Sequence, residues 1–118
     1  MAFDPISFIL ARKGATTPQD VTASRALDTP YQNTTGKTKI VIVSLYFRGH
    51  PVTADAEFRI SPDKRRIIPI SRTGVASQGI DQYLVLYGVV PNGYYYDVYA
   101  TVTDGTVSID RWIEYEIP

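Results

Sequence analysis

The sequence predicts an all-β fold, an antiparallel β-sandwich of jelly-roll-like or immunoglobulin-like form, and three observations carry that prediction. The run Ile40-Val41-Ile42-Val43-Ser44-Leu45-Tyr46-Phe47 puts large side chains on both faces of one strand. Ile40, Ile42 and Tyr46 point one way, and Val41, Val43, Leu45 and Phe47 the other. Short alternating segments separated by Gly, Pro, Asn and Asp recur from Val21 onward. No helical periodicity survives past residue 20. A strand with two apolar faces needs a facing sheet on one side and a further layer or another subunit on the other.

The elements follow in order. Residues 1–20 read as an arm and 21–118 as the sandwich. Asp4 can cap a short helix with Pro5 at its first position, carrying Ile6, Phe8, Ile9 and Leu10 as an apolar patch. Two turns of helix do not stand alone, so this patch is the expected assembly arm. Gly14 to Asp20 reads as linker, and 21–27 as a short extended segment. A turn-rich stretch runs from Asp28 to Gly36, and Tyr31 within it is expected to bury its ring and hydrogen-bond through its hydroxyl.

The long strand 38–47 is expected to break at Gly49-His50-Pro51. A second follows with Ala54, Ala56, Phe58 and Ile60 on one face, and a third covers Arg65 to Ile70. Residues 71–80 read as a polar loop. Tyr83, Val85, Tyr87 and Val89 then line one face of a strand, with Leu84, Leu86 and Val90 opposite. Pro91-Asn92-Gly93 is a tight turn. Thr103-Asp104-Gly105 reads as a hairpin turn before a last strand, with Val107, Ile109, Ile113 and Tyr115 on one side and Trp112 on the other.

At 118 residues the chain forms one domain with a modest core. It has no cysteine, which excludes thiol chemistry and disulfides. No run reaches the roughly eighteen apolar residues of a membrane helix, and no signal-peptide pattern opens the chain, so neither a membrane nor the ordinary secretory route is expected. Net charge is zero but unevenly placed: residues 25–72 hold nine Lys or Arg against four Asp or Glu, and residues 73–118 one against six. The two halves either interleave across a sheet or form unlike patches that orient neighbouring copies.

Chemistry-bearing patterns are few. The single histidine, His50, sits in a loop context with no partner set for zinc, and no nucleophile elbow, phosphate loop or paired-acid motif is present. No enzyme, metal or cofactor is expected. Lys64-Arg65-Arg66 is the one basic triplet and is too narrow for nucleic acid in a neutral chain. With Asp110, Glu114 and Glu116 it forms the candidate electrostatic contacts. Tyr94-Tyr95-Tyr96, Tyr99 and Trp112 are the candidate ligand or partner contacts, because tyrosine offers a rigid ring together with a hydroxyl.

Three segments carry a family resemblance. Arg25-Ala26-Leu27-Asp28-Thr29-Pro30-Tyr31-Gln32-Asn33-Thr34-Thr35-Gly36-Lys37, leading into a hydrophobic strand, resembles an R-x-x-x-T-x-Y-x-N-T-[ST]-G-K-P opening of small β-rich domains in tailed-bacteriophage virion proteins. Here Thr38 replaces the proline. Val90-Pro91-Asn92-Gly93-Tyr94-Tyr95-Tyr96-Asp97-Val98 is similar to V-P-P-G-x-x-Y-x-V, with Asn92 for the second proline, and Ser108 to Tyr115 resembles the closing aromatic-acidic strand. The resemblance implies a β-sandwich of a tail fibre, a tail tip or a capsid-decoration protein. It implies residence in the virion, commonly as a homotrimer among other virion proteins, and in some members contact with a receptor. It carries over no catalytic residue. The tyrosines and Trp112 separately suit a carbohydrate- or receptor-binding module, with a host-surface glycan as the alternative partner.

Overall fold

A computed structural model describes residues 17–79 and 81–117. The chain is all-β and antiparallel. Its strands are β1 (Gln19–Asp20), β2 (Tyr31–Gln32), β3 (Thr38–Ser61), β4 (Ile68–Ser77), β5 (Gln82–Val90) and β6 (Tyr95–Ile117). The patch Ile6, Phe8, Ile9 and Leu10 lies outside the described residues. The expected linker ends sooner than its composition suggested, because Gln19 and Asp20 pair with Glu114 and Ile113 of β6. Residues 21–27 form no strand; Thr22–Ser24 is a single 3-10 turn.

The central strand β3 is flanked along its whole length. One side takes β6, and the other takes β5 against residues 39–47 and β4 against residues 52–60. The sheet folds over on itself where pairing between β3 and β6 shifts, between Arg48 and Thr53. Two leaves result: β5, the first half of β3, the second half of β6 and β1 in one; β4, the second half of β3, the first half of β6 and β2 in the other. Their inner faces make a sandwich-like core. Val41, Val43, Leu45 and Phe47 from one leaf and Val52, Ala54, Ala56, Phe58 and Ile60 from the other are buried there.

Two expectations are corrected by this crease. Gly49-His50-Pro51 bends β3 without ending it, and Thr103-Asp104-Gly105 is a bend within β6 rather than a hairpin. Glycine permits either outcome, and the long partner strand decides it. Residues 71–77, expected to be loop, are the body of β4, because their backbone groups pair with β3 whether or not the side chains are polar. The expected face of the last strand also splits. A bulge at Asp110, where Leu45 pairs with Ile109 and Ser44 with Arg111, reverses the alternation. Val107 and Ile109 therefore pack on the core from one side of the bulge and Trp112 from the other.

The Asp28–Gly36 stretch is tied down by side chains. Asn33 is fully buried; its amide donates to the carbonyls of Lys37 (2.8 Å) and Val90 (3.0 Å), and its carbonyl accepts from the Thr35 hydroxyl (2.7 Å). The Asn92 side chain accepts from the Gly36 amide at 2.9 Å, joining this stretch to the Pro91-Asn92-Gly93 turn. Tyr31 is half-buried beside Tyr96 and Trp112, and its hydroxyl accepts from the Ala26 amide at 2.7 Å.

Candidate binding slot and apolar sheet face

The opposed charges of the two halves of the sequence meet inside the chain. Glu114 points into the sandwich, where it is 3% exposed, and five donor groups surround its carboxylate. Lys39 Nζ and Tyr96 OH donate at 2.7 Å, Trp112 Nε1 at 2.9 Å, and Arg25 through Nη2 at 3.2 Å and Nε at 3.3 Å. Burial alone would raise this carboxyl, but the bonds from Lys39, Tyr96 and Arg25 outweigh it and hold the group below its ordinary value. Burial and the neighbouring carboxylate push the Tyr96 hydroxyl further up. Glu114 is therefore a core ion, not the electrostatic surface contact expected of it. Asp110 is exposed and Glu116 half-buried.

Trp112 and Tyr96 are likewise corrected. Both are buried, Trp112 behind the bulge at Asp110, so neither belongs to an exposed contact surface. Tyr94 is half-buried against the core. Tyr95 and Tyr99, on the alternate positions of β6, face outward.

These two tyrosines border a slot of about 390 Å³ on the outer face of the second leaf. Its floor is Asp97 of β6 opposite Arg59 of β3, joined by two parallel hydrogen bonds, Nε to Oδ1 at 2.9 Å and Nη2 to Oδ2 at 2.7 Å. The Asp97 carboxylate raises the Arg59 pKa still further, so the guanidinium stays charged. The Arg59 guanidinium lies 4.3 Å from the Tyr99 ring centre, and Lys64 Nζ lies 4.8 Å from that of Tyr95.

Local chemistry fixes both walls. On one side Asp63 accepts the amides of Arg65 (2.9 Å) and Arg66 (3.0 Å), closing the turn in which Lys64 takes a φ of 69°. On the other, Asp28 accepts the Ala100 amide at 2.9 Å and gives its own amide to Val98 at 2.8 Å. Of the basic triplet, Lys64 alone lines the slot; Arg65 and Arg66 are exposed beside it. Arg59, Asp97 and Asp28 were not legible as site residues. They are ordinary charged residues in sequence, and the register between β3 and β6 brings the first two together.

A second surface lies on the outer face of the first leaf. Cross-strand rows there read Val89-Ile40-Tyr115, Tyr87-Ile42-Ile113, Val85-Ser44-Arg111 and Tyr83-Tyr46-Ser108. One of these twelve side chains is charged. Tyr83 and Tyr46 stack with ring centres 4.6 Å apart. The β5 column is open: Tyr83 is 61% exposed, Val85 54%, Tyr87 52% and Val89 50%. The alternation in the sequence had displayed that column, but without marking which side faced water. Among the described residues no group of three or more His, Asp or Glu is placed to hold a metal ion. No protein-family model matches this chain, and no curated protein matches it.

Proposed function

We propose that this chain is a non-enzymatic structural protein of a tailed-phage particle, in a tail or on the capsid surface, that assembles with further copies of itself through the outer face of the first leaf. The observation that carries the reading is the open Tyr83-Val85-Tyr87-Val89 column beside Ile40, Ile42 and Ile113. Aromatic and aliphatic side chains with almost no charge describe the centre of a protein interface rather than a solvated sheet face.

Area supports a second copy as the occupant. Half-exposed tyrosines and valines in that column leave on the order of 400 Å² in water. With the flanking β3 and β6 side chains, this face and an equal area on a neighbouring copy would together bury roughly 1,200 Å², the lower bound of a standard interface. The virion setting and the trimeric state rest on the resemblance of residues 25–37, 90–98 and 108–115.

Light scattering of the wild type beside a Val85→Lys/Val89→Lys variant tests the self-association. Both positions are exposed, so the variant should keep its far-ultraviolet circular dichroism while its mass falls from oligomer to monomer. A wild type that stays monomeric at high concentration, or a variant with an unchanged oligomeric mass, refutes the reading.

A further inference from the structure

We propose that the slot between Tyr95 and Tyr99 is a binding site for a neutral saccharide unit. Charge is the first reason. The four charged side chains lining it, Arg59, Lys64, Asp28 and Asp97, sum to zero, with both signs presented toward one space. Such a lining offers donors and acceptors together without selecting an ion. Pro30, Ile67 and the tyrosine rings give the slot apolar walls, but a wholly apolar ligand would strip water from the Arg59–Asp97 pair without replacing its hydrogen bonds, and an anionic one would face two carboxylates.

Shape is the second reason. Tyr95 and Tyr99 stand four positions apart on one face of β6, about 13 Å along the strand, with Asp97 between them. Pyranose rings carry apolar C–H faces and a rim of hydroxyls. They suit a slot whose ends are aromatic and whose floor is a paired guanidinium and carboxylate.

Pre-organisation is the third. The floor is locked by its two parallel hydrogen bonds, the Lys64 turn by Asp63, and Asp28 by the Ala100 amide. Little side-chain freedom remains to be lost on binding. The slot lies on the opposite leaf from the apolar face, so this inference does not depend on the self-association proposed above.

The test is a titration of ¹⁵N-labelled full-length protein with glucose, galactose, N-acetylglucosamine, maltose, cellobiose and lactose, each to about 20 mM, a range suited to millimolar dissociation constants. Glucuronate serves as the charged comparison. The expected result is saturable shifts at Tyr95, Asp97, Tyr99 and Lys64 with at least one neutral sugar, and none at Tyr83 or Val85. Tyr99→Ala, at an exposed position, should weaken that binding about fivefold, and Tyr95→Ala similarly, with the circular dichroism unchanged. The inference is overturned if no neutral sugar gives saturable shifts, if glucuronate binds as tightly as the best neutral sugar, or if the Tyr95→Ala/Tyr99→Ala double variant binds like the wild type. Repeating the titration on Val85→Lys/Val89→Lys separates the two proposals, because a monomer should bind sugar unchanged.

Discussion

Gly49 and Gly105 meet at the crease of the folded sheet. A Cβ on Gly49 would stand 2.8 Å from the Gly105 Cα and 2.7 Å from the Pro51 carbonyl oxygen. Gly105 has a φ of 84°, and a Cβ there would come within 2.6 Å of the Arg48 carbonyl oxygen. Both strands bend at one point because neither carries a side chain that would hold them apart.

Gly105→Ala should therefore destabilise the protein although residue 105 is exposed. The left-handed backbone and the backbone clash together predict a cost of about 3 kcal/mol. Urea unfolding measures it. A cost near zero would show that the crease tolerates a side chain and that the turn chemistry alone sets the bend.

Gly88 tests the contact between leaves. A Cβ on this residue of β5 would lie 2.5 Å from two ring carbons of Phe58, on the other half of β3. Phe58 is fully buried and has nowhere to retreat. Gly88→Ala should cost about 2 kcal/mol. In a Phe58→Leu background the same change should cost less, giving a coupling of about 1 kcal/mol in a double-mutant cycle. Strict additivity would mean that the two leaves do not touch there.

Glu114→Gln removes the anion that Arg25 and Lys39 share, leaving two cations inside without a carboxylate. A loss of about 3 kcal/mol at neutral pH is expected. The sign with pH follows from the direction of the shift. The folded carboxyl titrates below its ordinary value of 4.5, so its contribution is complete above that pH and disappears as the pH falls through the folded value. The wild type should thus lose its advantage over Glu114→Gln in acid. A stability gap that stays constant from neutral pH to well below 4.5 would contradict the buried-ion account.

Asn33→Ala should cost about 2 kcal/mol, because it removes the buried amide bonded to the Val90 carbonyl, takes one of two donors from the Lys37 carbonyl and frees the Thr35 turn. Asn33→Asp serves as the companion change: it keeps the size and the contact to Thr35 while losing both amide donors. Thermal unfolding of the two variants ranks the donors against the acceptor, and equal stability of Asn33→Asp and the wild type would refute the assignment.

Alternation in the sequence determined a great deal by itself. Because neighbouring side chains on a strand must point to opposite faces, Val41 to Phe47 and Ala54 to Ile60 could be read as core faces without knowing what they face. Turn chemistry placed Pro91-Asn92-Gly93 in the same way, since its backbone needs are local. The tertiary structure decided whatever depends on register over long separations. Gly49 and Gly105 bend strands instead of ending them because each lies against the other. One extra residue at Asp110 carries Trp112 and Glu114 inward. Arg59 meets Asp97 only through the pairing of β3 with β6. A period-two pattern states which residues share a face, but strand pairing and bulges determine which faces meet and what each charge finds opposite it.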